Sequence, residues 1–172
     1  MAQADWTTIF EDKARDLKQG DSWRLEFDDT LVPASPNPGW KEYIRNTGAR
    51  FRCRKCGRSW PSNRVMVVFH MRLIGREGVV KVRRFRQNCK KCPSAPMENP
   101  EIPPENIDIL MDNLVKKIRI KCYGERLDGG FRPPQNLEVN SPHEPAHCEA
   151  CQLGICERNT ATNNPSTFKY FF

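Results

Sequence analysis

The stretch from Phe51 to Cys92, FRCRKCGRSWPSNRVMVVFHMRLIGREGVVKVRRFRQNCKKC, constrains the fold of this chain more than any other. It opens with a CxxC pair, Cys53 and Cys56, and closes with another, Cys89 and Cys92. Between them lie two strand-like runs separated by a turn bearing glycine. Two thiols separated by two residues bind one metal ion from a tight knuckle, and a second knuckle closes a tetrahedral Zn²⁺ site with Zn–S distances of about 2.3 Å. The hairpin between the knuckles is what brings them together. A zinc-ribbon-like unit is therefore the first expectation.

Disulfides are the competing use of eight cysteines in 172 residues. The N-terminal MAQADWTTIF lacks the basic start and apolar run of a secretory signal, and in the reducing cytosol paired cysteines serve metal far more often than cross-links. Hydrophobic content is 38%, below the globular average of about 45–50%. With 14 prolines, this implies a modest core, long loops and metal support. No window approaches the ~18 consecutive apolar residues of a membrane-spanning helix, and Lys169 interrupts the aromatic cluster Phe168–Phe172. The chain as given reads as soluble.

Charge is unevenly spread. Residues 1–40 carry 4 basic and 8 acidic side chains, residues 41–91 carry 16 and 2, and residues 92–172 carry 8 and 11, within a formal total of +7. The positive field sits on the ribbon stretch, as a polyanion-binding surface requires. Zinc-bound cysteines are thiolates, so two four-thiolate sites lower the total to about +3. Some of Arg52, Arg54, Lys55, Arg58, Lys90 and Lys91 then serve to offset those thiolates, but this absorbs only part of the excess.

The pattern predicts an α+β fold: a small zinc-ribbon-like antiparallel sheet with knuckles, packed against an N-terminal helix and a long amphipathic helix. Trp6, Ile9, Phe10, Ala14 and Leu17 mark the first helix over 5–19, with Gly20 as its stop. Trp23, Leu25 and Phe27 alternate as a half-buried strand, and three prolines make Asp28–Pro38 a loop. Trp40, Tyr43 and Ile44 suggest a short helix over Trp40–Thr47, ended by Gly48. In the next strand Val65, Val67, Phe69, Met71 and Leu73 face a core, with Met66, Val68, His70 and Arg72 on the other side. Turn Gly75–Gly78 leads to Val79–Gln87. Pro93–Pro104 is a connection. Ile107, Leu110, Met111, Leu114, Val115, Ile118 and Cys122 then form an unbroken stripe on a helix over about 105–123, capped by Gly124. A loop and a short strand at 137–139 precede a third CxxC, Cys148 and Cys151, with Cys156 close behind. Residues 1–156 read as one domain, with a ribbon core at 51–92 and the third knuckle at 148–156. Residues 157–172 read as a disordered tail.

Cys53, Cys56, Cys89 and Cys92 form the obvious metal site. The third knuckle supplies Cys148 and Cys151 and needs two more ligands, from Cys156, His147, His143, His70 and Cys122. Cys156 is favoured by its position. His70, on the strand face away from the core set, is available as the fourth. Cys122 continues an apolar stripe and reads as a small hydrophobe, and His143 reads as a loop residue. Four thiolates leave no open coordination position, and the deaminase, HExxH, P-loop and GxSxG patterns are absent, so the metal reads as structural and no catalytic residue is expected.

The basic stretch is also a candidate nucleic-acid surface. Arg54, Lys55, Arg58, Lys81, Arg83, Arg84 and Arg86 would meet phosphates, and Trp60 would stack a base. Phe69 and Phe85 fit the core better. A DNA-binding transcription factor is disfavoured, because the ribbon holds no recognition helix.

Three CxxC pairs at 53/56, 89/92 and 148/151 are preceded by PGWKEY (Pro38–Tyr43) and accompanied by FRCRKCGRSWPSNRV, VVFHMRL, VRRFRQNCKKC, DNLVKKI and CEACQLGIC. Over roughly Trp6–Cys156 the chain resembles the receptor-transporting protein family, whose core is a 3CxxC-type zinc finger. The CEACxLGIC ending is most similar to the family's interferon-induced antiviral branch. The resemblance implies Zn²⁺ on Cys53, Cys56, Cys89, Cys92, Cys148 and Cys151. It implies an accessory chaperone that helps odorant, taste and other G-protein-coupled receptors reach the cell surface. As the alternative it implies an antiviral effector whose zinc-finger domain binds RNA. Family members act on the cytoplasmic side, associated with membranes from the endoplasmic reticulum to the cell surface through a C-terminal anchor. This chain ends at Phe172 without one, so as given it is expected to be soluble and cytoplasmic.

Overall fold

The computed structural model describes residues 3–17, 21–127 and 129–156. The expected stop at Gly20 and the tail from Glu157 lie outside these residues. The elements run in the order α1 (Gln3–Ala14), β1 (Ser22–Phe27), β2 (Lys41–Arg52), β3 (Ser59–Ile74), β4 (Glu77–Arg84), α2 (Pro104–Tyr123), a 3₁₀ turn (Pro145–His147) and α3 (Glu149–Gln152). The fold is α+β, as the sequence predicts. Its four strands lie in the order β1-β4-β3-β2.

The sheet is mixed rather than antiparallel throughout. β1 joins the free edge of β4 in parallel, in a register running from Ser22 opposite Glu77 to Phe27 opposite Val82. A second correction concerns Trp40–Thr47, which is not a helix: Lys41–Arg52 is strand β2, and Gly48 lies within it. Tyr43–Arg45 and Thr47–Ala49 are buried as consecutive runs, so the strand is covered on both faces. That cover erases the period-2 signal and leaves Tyr43, Ile44 and Thr47 at a spacing that imitates a helical stripe. The same holds in β3, where Val65 to Met71 are all buried. The face expected to oppose the core, Met66, Val68 and His70, is therefore interior as well.

The chain forms two compact units. The first comprises Met1–Tyr43, Val68–Arg83 and Pro104–Pro134. Its interior is apolar. Ile107, Leu110, Met111, Leu114 and Ile118 of α2 are each no more than 1% exposed, as are Trp6 and Phe10 of α1. The Trp6 ring meets Phe27 edge-on at 5.6 Å. α1 is shorter than the predicted 5–19, although Leu17, just beyond it, is still buried. Lys13 Nζ reaches Asp108 at 2.9 Å and Asp112 at 2.7 Å, and Arg132 pairs with both aspartates from the far side. In this unit Trp23 lies over Gly78, where an added Cβ would fall 2.2–2.4 Å from the indole. Trp23 Nε1–H donates to Tyr123 Oη at 3.0 Å, and the Tyr123 hydroxyl donates to Asp21 at 2.6 Å.

The second unit comprises Ile44–Val67, Arg84–Pro103 and Gln135–Phe172. Apolar residues such as Phe51, Val65, Val67, Phe85 and Ile102 are buried in it together with a polar group. Gln87, 7% exposed, forms single-residue bridges with Glu98 on one side and Cys148 on the other. Its side chain accepts from Trp60 Nε1–H at 2.9 Å and donates to Ser62 Oγ at 3.0 Å. Phe51 and Trp60 stack at 5.5 Å. Residues 137–139 form no strand. Leu137 instead bonds through its backbone N–H and C=O to the Asn63 amide, at 2.8 and 2.9 Å. Among the described residues, no helix is long and apolar enough to cross a membrane.

Two predictions follow from the first unit. Gly78→Ala has no room beneath the indole and should cost about 1–3 kcal/mol. Urea unfolding followed by tryptophan fluorescence reads this, and an unchanged midpoint would show that Trp23 does not lie over Gly78. Burial and then the Asp21 hydrogen bond push the Tyr123 phenol up to about 12. Its folded value thus exceeds the ordinary value of about 10, so the neutral phenol stabilises the fold fully below pH 10. That contribution is lost as pH rises from 10 through 12. Wild type should therefore lose stability over this window more steeply than Tyr123→Phe, measured by melting temperature; parallel curves would refute the assignment.

Candidate metal centres

Two clusters of cysteine and histidine lie in the second unit. In each, the four ligand atoms fall within 4.8 Å of one another.

The first joins Cys53, Cys56, Cys89 and Cys92. Cys53 follows the last residue of β2. The chain closes tightly after it, with Gly57 N–H donating to Cys53 O and Cys53 N–H to Arg58 O, both at 2.8 Å. Gly57 has φ +76°, a left-handed conformation that glycine adopts without penalty. The Gln87–Glu98 bridge delivers the second knuckle. Glu98 accepts from Arg54 N–H at 2.9 Å, and Lys55 Nζ donates to Pro93 O at 3.0 Å, so the knuckles are stitched together by their own basic residues. Cys53 Sγ stands 3.8 Å from Cys92 Sγ, and Cys56 Sγ stands 3.8 Å from Cys89 Sγ. Sulfurs at about 2.3 Å from a tetrahedral Zn²⁺ are about 3.8 Å apart, so this set fits zinc, and the spacing is far from the ~2.05 Å of a disulfide.

The second cluster joins His143, Cys148, Cys151 and Cys156. Cys148 caps α3, and the chain after it curls so that Ile155 and Cys156 both donate to Ala150 O, at 2.9 and 3.2 Å. His143 Nε2 lies 3.3 Å from Cys151 Sγ and 3.5 Å from Cys156 Sγ. A nitrogen at about 2.0–2.1 Å and a sulfur at about 2.3 Å from one tetrahedral zinc are about 3.5 Å apart. This set fits zinc too.

Charge supports the same reading. In the metal-free state burial pushes the Cys89 thiol up, but the Arg58 guanidinium at 3.4 Å, the Lys91 amide and the neighbouring thiols outweigh it and bring it down to about 6. Cys92 is pushed up to about 12, first by its hydrogen bond with Cys56 and then by burial and the other thiols. Cys151 is driven upward by Cys148, Cys156 and burial, in that order. Sulfurs this close do not all ionise without a cation among them. Zn²⁺ supplies that charge when bound, and all eight positions in the two centres are filled by protein, which is the pattern of structural zinc. With one Cys₄ and one Cys₃His centre, the formal +7 becomes about +4.

Seven of the eight ligands in these clusters carry the cysteine numbers expected from the sequence. The eighth is a correction. His70 is not in the cluster: it lies in the first unit, 4% exposed, with Nε2 2.8 Å from Glu42 Oε2. The fourth ligand is His143, which the sequence reading places in a plain loop. It precedes the knuckle by five residues, and Pro142 and Pro145 around it shape the return of the chain; that H-x₄-C-x₂-C-x₄-C spacing was the available signal. His147 bonds instead to Asn88 Oδ1 at 2.8 Å, and Cys122 on α2 belongs to neither cluster.

The candidate nucleic-acid residues fall in both units, and each has a neighbour or is buried. In the first unit, Lys81 pairs with Asp28 at 3.5 Å and Arg83 donates to Leu31 O at 2.7 Å. In the second, Arg84 is buried at 8% exposure, Arg86 forms a two-pronged pair with Glu149, and Arg54 pairs with Glu98. Lys55 is spent on Pro93, and Arg58 lies over the Trp60 ring at 4.6 Å while Phe51 stacks on the same indole.

The family model of the 3CxxC zinc ribbon, described as a zinc-binding domain, matches residues 46–154. Receptor-transporting protein 3 of Mus musculus is 39% identical over 158 residues, covering 90% of this chain and 33% of that protein. Receptor-transporting protein 2 of Mus musculus is 37% identical over 165 residues, covering 90% and 71%. Receptor-transporting protein 4 of Homo sapiens is 34% identical over 155 residues, covering 88% and 63%. The chain thus spans only a third of the first of these relatives. No solved structure matches the chain significantly.

The geometry predicts two zinc ions per chain, read by mass spectrometry under native conditions. His143→Ala should drop the count to one or weaken the second ion by about 10–100-fold, whereas His70→Ala should retain both. The reverse outcome would return His70 to the site. Chelation should unfold the protein, because each structural zinc contributes about 10–16 kcal/mol of apparent binding energy in small zinc modules.

Proposed function

The chain belongs to the receptor-transporting protein family, and from that membership we propose that it is a zinc-stabilised, non-enzymatic accessory chaperone. In this reading it helps G-protein-coupled receptors of the odorant and taste kind reach the cell surface. The observation that carries the reading is the extent of the match. It runs over about 90% of the chain in receptor-transporting proteins, and the matched zinc-ribbon region, residues 46–154, takes in every ligand of both clusters except Cys156. A coordinatively filled metal gives a binding scaffold rather than a reactive centre, consistent with a partner that escorts rather than modifies. The reading places the protein on the cytoplasmic side of the membranes through which receptors travel.

A second reading, an RNA-binding antiviral effector, is favoured by one observation. Arg52, Lys90 and Lys91, each next in sequence to a cysteine of the first centre or one residue further, are exposed, a set suited to phosphate contacts without base choice.

Co-expression of the chain with an odorant-type receptor should raise surface receptor several-fold over receptor alone, measured by labelling intact cells. Cys53→Ser/Cys89→Ser should abolish the gain. No increase from the wild-type chain, tested also with a C-terminal membrane anchor added, would overturn the trafficking reading. For the second reading, single-stranded RNA binding should fall steeply with salt and weaken on changing Lys90 and Lys91 to Glu. Absence of binding at low salt would remove it.

A further inference from the structure

Strand β1 is the last of the sheet on one side. Its inner side pairs with β4 in parallel, from Ser22 opposite Glu77 to Phe27 opposite Val82. The phase of that ladder is fixed at both ends. Ser22 N–H donates to Arg76 O at 2.8 Å, and Asp28 N–H donates to Val82 O at 2.9 Å. In a parallel ladder the N–H and C=O of one residue point the same way, and successive residues alternate. Ser22, Arg24, Glu26 and Asp28 therefore turn toward β4, while Trp23 and Leu25 turn their backbone groups outward. Trp23 bonds through its indole to Tyr123, and among the described residues nothing bonds to the backbone of Trp23 or Leu25 on the outer side. Backbone groups left open on a strand edge are a template for a further strand.

The side chains decide which strand fits. Those of Trp23 and Leu25 face the interior, at 8% and 7% exposure. Arg24 and Glu26 share the other face 3.6 Å apart, with side chains 65% and 43% exposed. Charges on an edge strand commonly keep other strands away. A pair of opposite sign with one residue between them does not keep away a second copy of itself. In an antiparallel second copy, outward-turned residues must meet outward-turned residues, so the twofold axis can pass through residue 24, 25 or 26. At residue 24 the two Arg24 side chains oppose each other, and at residue 26 the two carboxylates do. At Leu25, each Arg24 lies opposite the partner's Glu26, and the two Leu25 backbones exchange a pair of hydrogen bonds. Directly opposed side chains stand about 4.5–5.5 Å apart at Cβ, where unlike charges attract and like charges repel.

The surroundings of the strand suit that axis. Trp6 of α1 meets the strand at Phe27, and Tyr123 of α2 meets it at Trp23. An axis at Leu25 thus puts the two α1 helices at opposite ends of the seam. A phosphate chain would find one arginine with a carboxylate beside it, which gives no cationic track. Six residues a side make a seam smaller than the about 1,200–2,000 Å² of a stable interface, so the association is weak and governed by concentration.

We propose that β1 is a self-association edge, through which two copies of the chain pair antiparallel about Leu25 with Arg24 of each against the partner's Glu26. Such a twofold contact closes after two copies and leaves no edge for a third. It goes beyond the trafficking reading and does not depend on it.

The test is sedimentation velocity on the zinc-loaded chain from micromolar to millimolar concentration. Wild type should pass from monomer to dimer over that range. Arg24→Glu and Glu26→Arg, both at exposed positions, should each weaken the dimer at least fivefold while keeping two zinc ions and the wild-type melting temperature. An equimolar mixture of the two variants should dimerise about as well as wild type, because each carboxylate then faces a guanidinium of the other chain. In the wild-type dimer the Leu25 amide should gain protection from hydrogen exchange. A wild type that stays monomeric at millimolar concentration would overturn the proposal. So would single variants that dimerise like wild type, a mixture no better than its components, or a Leu25 amide whose exchange is the same in monomer and dimer.

Discussion

Four sulfurs held 3.8 Å apart in pairs are the constraint on which the second unit is built. Ionised thiolates at that spacing repel, and neutral thiols give little in return, so the arrangement persists only with a divalent cation at its centre. The surrounding residues are disposed accordingly. Arg58 donates to Cys89, the Lys91 amide turns toward the same sulfur, and Lys55 and Arg54 tie one knuckle to the chain that follows the other. Much of the positive charge of this stretch thus answers the negative charge that the metal centre itself carries.

The two centres are not independent. Arg86, Gln87 and Asn88 immediately precede Cys89 and also hold the segment bearing Cys148. Arg86 O accepts from Glu149 N–H, Asn88 N–H donates to His147 O, and the Arg86 guanidinium grips the Glu149 carboxylate. Gln87, between them, fixes Trp60 and Ser62 of β3 through its amide. A single three-residue strap therefore ties the second knuckle to the third and both to the start of β3. Displacement at either centre would reach the other through these part-buried hydrogen bonds.

The sequence was legible where one face of an element meets the core and the other meets water. α2 is such an element, and its stripe from Ile107 to Ile118 is buried as the periodicity demands. The CxxC pairs were legible because ligand spacing is a local property. Strand β2 was not, since burial of both faces left no alternation and Tyr43, Ile44 and Thr47 passed for a helix turn. His143 escaped because it lies outside any CxxC pair, and its return to the cluster depends on the proline-shaped path between 142 and 145. His70 was mistaken for a ligand because the pattern placed it opposite the core, whereas that face is closed and Glu42 waits there. The basic run is only partly legible for a related reason: net charge reports how many cations a stretch holds, whereas pairing with Asp28, Glu98 and Glu149 decides how many remain for a partner.

The two units solve the stability problem by partly different means. The first buries large apolar side chains from both helices, which gains free energy in proportion to area removed from water. The second buries apolar residues too, among them Phe51, Val65, Val67, Phe85 and Ile102, but clustered thiols gain little from burial alone, so its order depends in addition on ligand geometry and on charged hydrogen bonds such as Arg86–Glu149.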